Sequence, residues 1–393
     1  IYFLRNKKVR KSNMKPLVWT FLRKILKLFL VLPIQQNKIL FMSFGGNQYS
    51  CSPKYISEYI SKYYPDKFTT VWAFKQPDKH SELKSKGIKI VSVNSINFIK
   101  HFYTSKIIVT NDNLYPFLEK RKEQIGIQTW HGGGAYKKVG RNTKLYSKNA
   151  SRQLTSSMKN MNLYLSSCKS FNQFLIRDAF SYEGEILEEG LPRNDFLINQ
   201  NGIKNKVRDT YCIPYSHVVI LYAPTFRNNF NSDTYNIDYA TLRENVKMKY
   251  NKECTILYRF HHKIKESQAI NLKSERLVDV SQYPDMQEIL YDADILITDY
   301  SSTMWDFSLM FKPCFIYATD LECYRNERDF YTPIEQWPFP VASNNNDLIN
   351  NIIEFDKIKY DSDVKTHHQL LGNFESGHAT ESVVKYILNN YYG

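Results

Sequence analysis

Short apolar runs alternate with segments whose apolar residues recur at helical spacing, and the alternation occurs in two rounds along the chain. In the first round, strands are expected at Ile39–Phe44, Thr69–Phe74, Ile88–Val93, Lys106–Thr110, Gly126–Trp130, Asn162–Ser166 and Glu185–Glu189. Helices are expected over Pro53–Tyr64, Asp78–Lys86, Asn97–Thr104 and Lys169–Ala179. Gly190-Leu191-Pro192-Arg193-Asn194-Asp195 then breaks the pattern, and the polar residues 198–205 read as a linker. In the second round, strands are expected at Val218–Ala223, Thr255–Phe260, Leu277–Val280, Ile295–Thr298 and Cys314–Tyr317. Helices are expected over Tyr239–Met248, Met286–Asp292, Ser302–Phe311, 343–353 and 379–390.

Strand–helix alternation of this kind builds a parallel sheet with helices on both faces. The fold class is therefore α/β, with two Rossmann-like domains in series, 36–200 and 201–393, facing across a cleft. The last helix has the option of packing back on the first domain. Ligands of such sheets bind beyond the carboxyl ends of the strands, so the cleft is the expected active site.

Residues 1–35 form a separate segment, basic at first and then apolar on one helical face at positions 18, 19, 22, 25, 26 and 29. Lys15, Arg23, Lys24 and Lys27 lie largely on the other face. A helix at a membrane surface and a helix packed on its own domain both fit this pattern. No small-residue cleavage site follows, which argues against a secretory signal, and no run reaches transmembrane length.

Composition narrows the partners. Lys and Arg exceed Asp and Glu by 53 to 39, which suits an anionic membrane surface or a phosphate-rich substrate. No zinc-type Cys/His spacing and no RNA-binding signature occur, so no nucleic-acid partner is expected. The six cysteines form no CxxC, which fits a reducing compartment.

Polar clusters stand at the expected strand ends. His131 closes a strand and precedes Gly132, Gly133, Gly134 and then Lys137. A histidine there can act as general base, and three glycines let backbone N–H groups approach a ligand. Thr225 and Arg227 follow the first strand of the second round, and Arg259 and His261 alternate to one side of another. A metal pair at His261-His262 is disfavoured, because adjacent strand residues point to opposite faces. Asp299, Ser301 and Ser302 lie where a strand turns into a helix, with Asp306 and Lys312 beyond. Free N–H groups and two hydroxyls suit a phosphate at that turn, although Ser301 can equally serve as a helix cap. No GxxxxGK[ST], GxGxxG or GxSxG is present, so P-loop hydrolase, NAD-type dehydrogenase and α/β-hydrolase all lose support. A candidate base in one domain and a cationic, hydroxyl-lined rim in the other fit transfer of a phosphorylated group from a nucleotide.

At these residues the chain resembles the CDP-glycerol glycerophosphotransferase family, the teichoic-acid primases and polymerases. Gln128–Lys138 is similar to the family's QTWHG…K segment, Tyr222–Arg227 to its YAPT(W/F)R, and Arg259–His261 to its RxH. Residues 279–290, 296–302, Asp306-Phe307, Lys312-Pro313, 320–324 and 377–380 extend the likeness over nearly the whole chain. The resemblance implies a GT-B-like fold and transfer of glycerol phosphate from CDP-glycerol, with release of CMP. It implies that His131 is the base, and that His261 and Arg259 contact the donor pyrophosphate with Ser301 and Ser302. Segment 279–290, with Asp285 and Glu288, would lie near the cytidine. Arg193 is expected on the acceptor or loop side. The acceptor would be lipid-linked, the location the cytoplasmic face of the bacterial plasma membrane, and the product a teichoic-acid or capsule-type polymer. The lack of long extensions favours a capsule or linkage over a long wall polymer. The family's His-Gly-Thr-Pro-Leu-Lys is His131-Gly132-Gly133-Gly134-Ala135-Tyr136-Lys137 here, and His262 replaces a proline. Those changes leave CDP-ribitol open as donor. A nucleotide-sugar glycosyltransferase on the same fold is the other alternative. Asp292-Ala293-Asp294 precedes a strand rather than closing one, so no essential cofactor or bound metal is expected, Mg2+ being optional.

Overall fold

A computed structural model describes residues 16–144, 146–200, 205–225, 236–260 and 277–392. Its strands form two sheets in which every pairing is parallel. The first sheet contains β1 (Gln35–Met42), β2 (Thr69–Phe74), β3 (Lys89–Ser92), β4 (Ser105–Thr110), β5 (Ile125–Gln128), β6 (Leu163–Leu165) and β7 (Glu185–Leu187), in the order β3-β2-β1-β4-β5-β6-β7. The second contains β8 (Val218–Tyr222), β9 (Cys254–Tyr258), β10 (Leu277–Asp279), β11 (Ile295–Thr298), β12 (Cys314–Tyr317) and β13 (Val341–Ala342), in the order β10-β9-β8-β11-β12-β13. In each sheet the order reverses beside the first strand, between β1 and β4 and between β8 and β11. Those two switch points are where a doubly wound sheet opens a crevice.

The helices are α1 (Pro16–Leu26), α2 (Cys51–Tyr63), α3 (Ile96–Thr104), α4 (Lys148–Met158), the single turn α5 (Lys169–Phe171), α6 (Pro192–Ile198) and α7 (Lys206–Thr210). They continue with α8 (Tyr239–Tyr250), α9 (Met286–Asp292), α10 (Thr303–Ser308), α11 (Leu321–Glu327), α12 (Asn345–Ile353), α13 (Lys357–Leu371) and α14 (Ala379–Tyr392). The central strands are apolar on both faces because helices cover both faces. Ile39, Phe41, Ile107 and Val109 meet Val383, Val384 and Ile387, so α14 packs on the first sheet. Ile220, Ile295 and Ile297 meet Leu242 of α8 and Leu348 of α12. The remaining faces join one core that includes Tyr136, Trp305, Phe330 and Trp337 and lies between the sheets.

Several expected elements take a different form. Residues 77–86 make a 3-10 stretch broken at His80 (φ −127°, ψ 24°). Lys169–Ala179 is one α turn running into a π-helix, Asn172–Ala179, in which Phe180 N–H donates to Leu175 O at 2.9 Å. The helix after Ser302 ends at Ser308, and Phe311 adopts a left-handed backbone (φ 54°). Pro192 opens a helix rather than breaking the pattern, since proline at the first position sacrifices no helical hydrogen bond. Residues 201–204 of the expected linker lie outside the described residues, as do residues 1–15.

The N-terminal helix packs on its own domain. The Arg23 guanidinium donates to Pro116 O (2.6 Å from Nη2) and to Ser156 Oγ (2.8 Å), and Leu26 is buried. Phe21, Ile25, Leu28 and Val31 nevertheless remain exposed. No described helix is long and apolar enough to cross a membrane.

Candidate active site

The first switch point presents His131 on a rigid mount. At the end of β4, Asn111 reaches in three directions. Its side chain accepts from Phe44 N–H at 2.7 Å and donates to Ser43 Oγ at 3.0 Å. Its carbonyl oxygen lies 2.7 Å from His131 Nδ1. A carbonyl only accepts, so Nδ1 carries the proton and Nε2 keeps its lone pair. The chain reaches His131 through Trp130, which is left-handed (φ 51°) and donates its N–H to Gln128 Oε1 at 2.9 Å. The Trp130 ring stacks on the imidazole at 4.2 Å, and Phe44 flanks it at 5.4 Å. His131 keeps an exposed surface, yet protein packs closely around its imidazole. That burial lowers its pKa, opposed by the charge of Asp112 and the Asn111 bond and helped by Arg193 and Lys137. The imidazole is therefore neutral at pH 7, with a free basic nitrogen.

The three glycines also make room for a neighbouring part of the fold. A Cβ on Gly132 would lie 2.8 Å from Ser302 Oγ, and one on Gly133 would lie 2.2 Å from Trp305 Cδ1. The loop has no side chains so that α10 and the turn before it can press against it. Ser302 thereby stands across from the residue that follows His131. Gly134 N–H is spent on Ser167 Oγ at 3.0 Å. Beyond the glycines, Tyr136–Lys138 pairs with the Asp329–Tyr331 backbone: Tyr331 N–H donates to Tyr136 O at 2.8 Å, and Lys138 N–H to Asp329 O at 3.0 Å. Lys137 forms an antiparallel bridge with Phe330 in this pairing, and Lys138 Nζ meets Asp329 Oδ2 at 2.6 Å.

The second switch point lies between β8 and β11. Asp299 takes the Thr225 N–H on both carboxylate oxygens at 2.9 Å, so the strand-end loop of β8 is tied to β11. Ser301 Oγ accepts from Thr303 N–H at 3.3 Å in the turn before the helix, but the N-cap is Ser302, not Ser301, and it makes no side-chain cap bond. Arg259 Nη1 donates to Val280 O (2.8 Å) and Tyr283 O (2.7 Å) and shapes the turn that follows β10. Arg227 and His261 lie outside the described residues.

Four residues expected on the ligand side make defined contacts within the protein. Arg193 sits in α6, not a loop, and its buried guanidinium pairs with Asp306 through Nε and Nη2, both at 3.0 Å. Asp285 and Glu288 are buried and receive the Lys54 ammonium at 2.5 and 3.2 Å. Lys312 donates to Tyr291 O (2.6 Å) and Ala293 O (2.8 Å), which places it at the C-terminus of α9 and the opening end of β11. That is the edge of the sheet opposite Asp299. Sequence reasoning missed Asn111, although a polar Asn-Asp pair at the end of an apolar strand was a usable signal. It also missed Lys54, whose role depends on a partner 231 residues away and leaves no local trace.

The model of the family CDP-Glycerol:Poly(glycerophosphate) glycerophosphotransferase matches residues 24–389. The teichoic acid poly(glycerol phosphate) polymerase of Staphylococcus epidermidis is 30% identical over 369 residues, covering 89% of this chain and 50% of that protein. This chain thus spans half the length of that relative. The polymerase of the same description from Bacillus spizizenii is 28% identical over 375 residues, covering 91% of this chain and 93% of its own length. A teichoic acid poly(ribitol-phosphate) polymerase from Bacillus spizizenii is 27% identical over 376 residues, covering 92% of this chain and 57% of that protein. The solved structure of the wall teichoic acid polymerase TagF superimposes with a TM-score of 0.81 at 28% identity, covering 96% of this chain and 95% of that one, and the two-sheet arrangement is GT-B-like. The chain belongs to the CDP-glycerol:poly(glycerophosphate) glycerophosphotransferase family.

Proposed function

We propose that this protein transfers glycerol phosphate from CDP-glycerol to a hydroxyl of a lipid-linked saccharide or polyol-phosphate acceptor, in teichoic-acid-type polymer synthesis. The observation that carries the reading is a histidine whose proton is fixed on Nδ1 by Asn111, leaving Nε2 basic, and whose next residue, Gly132, packs against Ser302 of the Ser301–Ser302 turn. Nε2 takes the proton of the acceptor hydroxyl. That oxygen attacks the phosphorus bearing glycerol, and the bond to the bridging oxygen breaks with CMP as leaving group. Such a transfer needs in-line placement and charge neutralisation more than covalent help. Arg259, Ser301 and Ser302 supply donors on the second sheet, and Arg227 and His261 belong to the same proposed donor side. No resident metal is part of this proposal.

The poly(ribitol-phosphate) relative makes CDP-ribitol the second donor to test. Release of CMP from CDP-glycerol, CDP-ribitol and UDP-sugars, assayed in parallel with His131→Ala as control, decides the class. Release of CMP from a CDP-polyol that is lost in the variant supports the proposal, and turnover of a UDP-sugar alone overturns it. The exposed Phe21, Ile25, Leu28 and Val31 beside Lys24 and Lys27 support peripheral attachment to an anionic bilayer, at the cytoplasmic face in this reading. Co-flotation with anionic vesicles that survives Leu28→Asp with Val31→Asp would sink that part.

A further inference from the structure

The interface between the two sheets contains a continuous buried polar network. Lys54 lies one turn into α2, on the first sheet's side. Its ammonium meets Asp285 Oδ2 at 2.5 Å and Glu288 Oε1 at 3.2 Å, at the start of α9 on the second sheet's side. Tyr55 OH adds a bond to Asp285 at 3.1 Å. Gln287 continues the path, because its N–H donates to Asp285 Oδ1 at 3.0 Å and its side-chain amide donates to Asp306 Oδ2 at 3.1 Å. Asp306 holds Arg193, whose Nη1 donates to Cys51 Sγ at 3.5 Å. Cys51 is the left-handed first residue of α2 (φ 62°), and its Sγ lies 3.8 Å from the carbonyl of Trp130, the residue before His131.

The path therefore crosses the interface from each side. One end holds the turn that Arg259 and Tyr283 shape, since Tyr283 OH donates to Glu288 Oε2 at 2.6 Å. The other end touches the peptide that presents His131. Asp306 is one turn along from Ser302 on α10. Across the network Lys54, Lys206 and Arg193 face Asp285, Glu288 and Asp306. Burial alone would lower the pKa of the Lys54 ammonium, but the carboxylates of Asp285, Glu58 and Glu288 outweigh it, and the group stays charged. A buried ion pair is a weak source of net stability against an apolar replacement, yet it is intolerant of misalignment. A network of this kind suits setting a register better than adding stability.

We propose that Lys54 is a positioning residue for the transfer: it registers the donor-side sheet on the acceptor-side sheet so that the Ser301–Ser302 turn stands opposite His131. The proposal rests on the functional reading above, and it assigns Asp285 and Glu288 to this register rather than to the nucleotide.

The experiment compares Lys54→Met, Lys54→Arg and Asp285→Asn with the parent chain in two assays. Amide hydrogen exchange without substrate follows the peptides covering 128–138 and 300–308. Steady-state kinetics give kcat and the donor KM. Lys54→Met is expected to speed exchange in both peptides and to lower kcat by roughly tenfold to a hundredfold, the cost of a misplacement on the order of 1 Å, with donor KM little changed. Asp285→Asn, which keeps the side-chain shape, should move both readouts the same way if Lys54→Met does not fold. Lys54→Arg, which can still span the carboxylates, should recover most of both. A rise in donor KM with kcat and exchange unchanged would overturn the proposal and return Asp285 and Glu288 to nucleotide binding. Unchanged exchange and kcat in Lys54→Met would also overturn it. If the parent chain releases no CMP from any CDP-polyol, the functional reading fails, while the exchange data still decide the register.

Discussion

His131 Nδ1 and the carbonyl oxygen of Asn111 lie 2.7 Å apart, and this contact places the proton on Nδ1 and leaves the lone pair on Nε2. Because the partner is a backbone carbonyl, the tautomer is set by the course of β4 and not by a replaceable side chain. His131→Ala is expected to lower kcat by about a hundredfold to ten-thousandfold, the range for loss of a general base, with little effect on donor KM. The pKa of His131 is lowered, so the reactive neutral form persists below the usual range of a histidine. The acid limb of kcat/KM should therefore fall below pH 6.5, as protonation of Nε2 removes the base. An acid limb at or above that value, or a His131→Ala variant with unchanged kcat, would exclude this assignment.

The glycine loop allows a sharper discrimination. At Gly133 a Cβ would meet the Trp305 indole at 2.2 Å, and that ring is fully buried. At Gly132 the obstacle is the Ser302 hydroxyl at 2.8 Å, which can rotate away. Gly133→Ala is therefore expected to destabilise the fold by about 1–3 kcal/mol, the usual cost of overpacking, and Gly132→Ala by clearly less. Urea unfolding of the two variants checks the order. The reverse order would mean that the loop and α10 are not pressed together.

Much of the fold was legible because parallel strands buried on both faces read as apolar runs, and Thr69–Phe74, Ile295–Thr298 and Cys314–Tyr317 form with those limits. What was missed shares a physical cause. In α13 the apolar positions Tyr360, Val364 and Leu371 are separated by Asp361, Ser362, Asp363 and Thr366, and its buried face is completed by His367 and His368. A helix that buries histidines does not advertise itself through hydrophobic period. His131, Asp299 and Ser302 were readable because each stands at a strand end or at the turn into a helix. Asp285 and Glu288 were placed near the nucleotide by the family resemblance, and Arg193 on the acceptor or loop side. Their actual partners, Asp306 and Lys54, come from the other sheet and cannot be inferred from spacing.

Lys312 illustrates the same point and can be tested. Its ammonium caps the carbonyls of Tyr291 and Ala293, at 2.6 and 2.8 Å, on the far edge of the second sheet. Lys312→Met leaves those carbonyls without their partner and is expected to lower stability by about 1–3 kcal/mol. Because the residue sits away from the cleft, kcat and donor KM should stay within roughly a factor of three, well short of the loss expected for a group that meets transition-state charge. A large rise in donor KM without loss of stability would restore it to the phosphate site.

His367 and His368 set a further expectation, in the response of the fold to acid. Both are buried in α13: the rings sit 3.2 Å from Tyr136 OH and 2.8 Å from Ser308 Oγ. Burial pulls the pKa of each from 6.5 to about 4, with the neighbouring His368 adding to the effect on His367. The unfolded chain therefore takes up protons first as the pH drops. Stability is complete above about pH 6.5 and is lost progressively down to about pH 4, on the order of 3 kcal/mol for each histidine. Glu375 works in the opposite sense, since burial raises its carboxyl to about 8 and protonation favours the folded state. Comparison with a variant isolates the histidine contribution. His368→Gln is expected to flatten the fall of unfolding free energy between pH 6.5 and 4 relative to the parent chain, whatever its effect at pH 7. Parallel curves for parent and variant over that interval would show that His368 is protonated at the same pH in the folded and unfolded states.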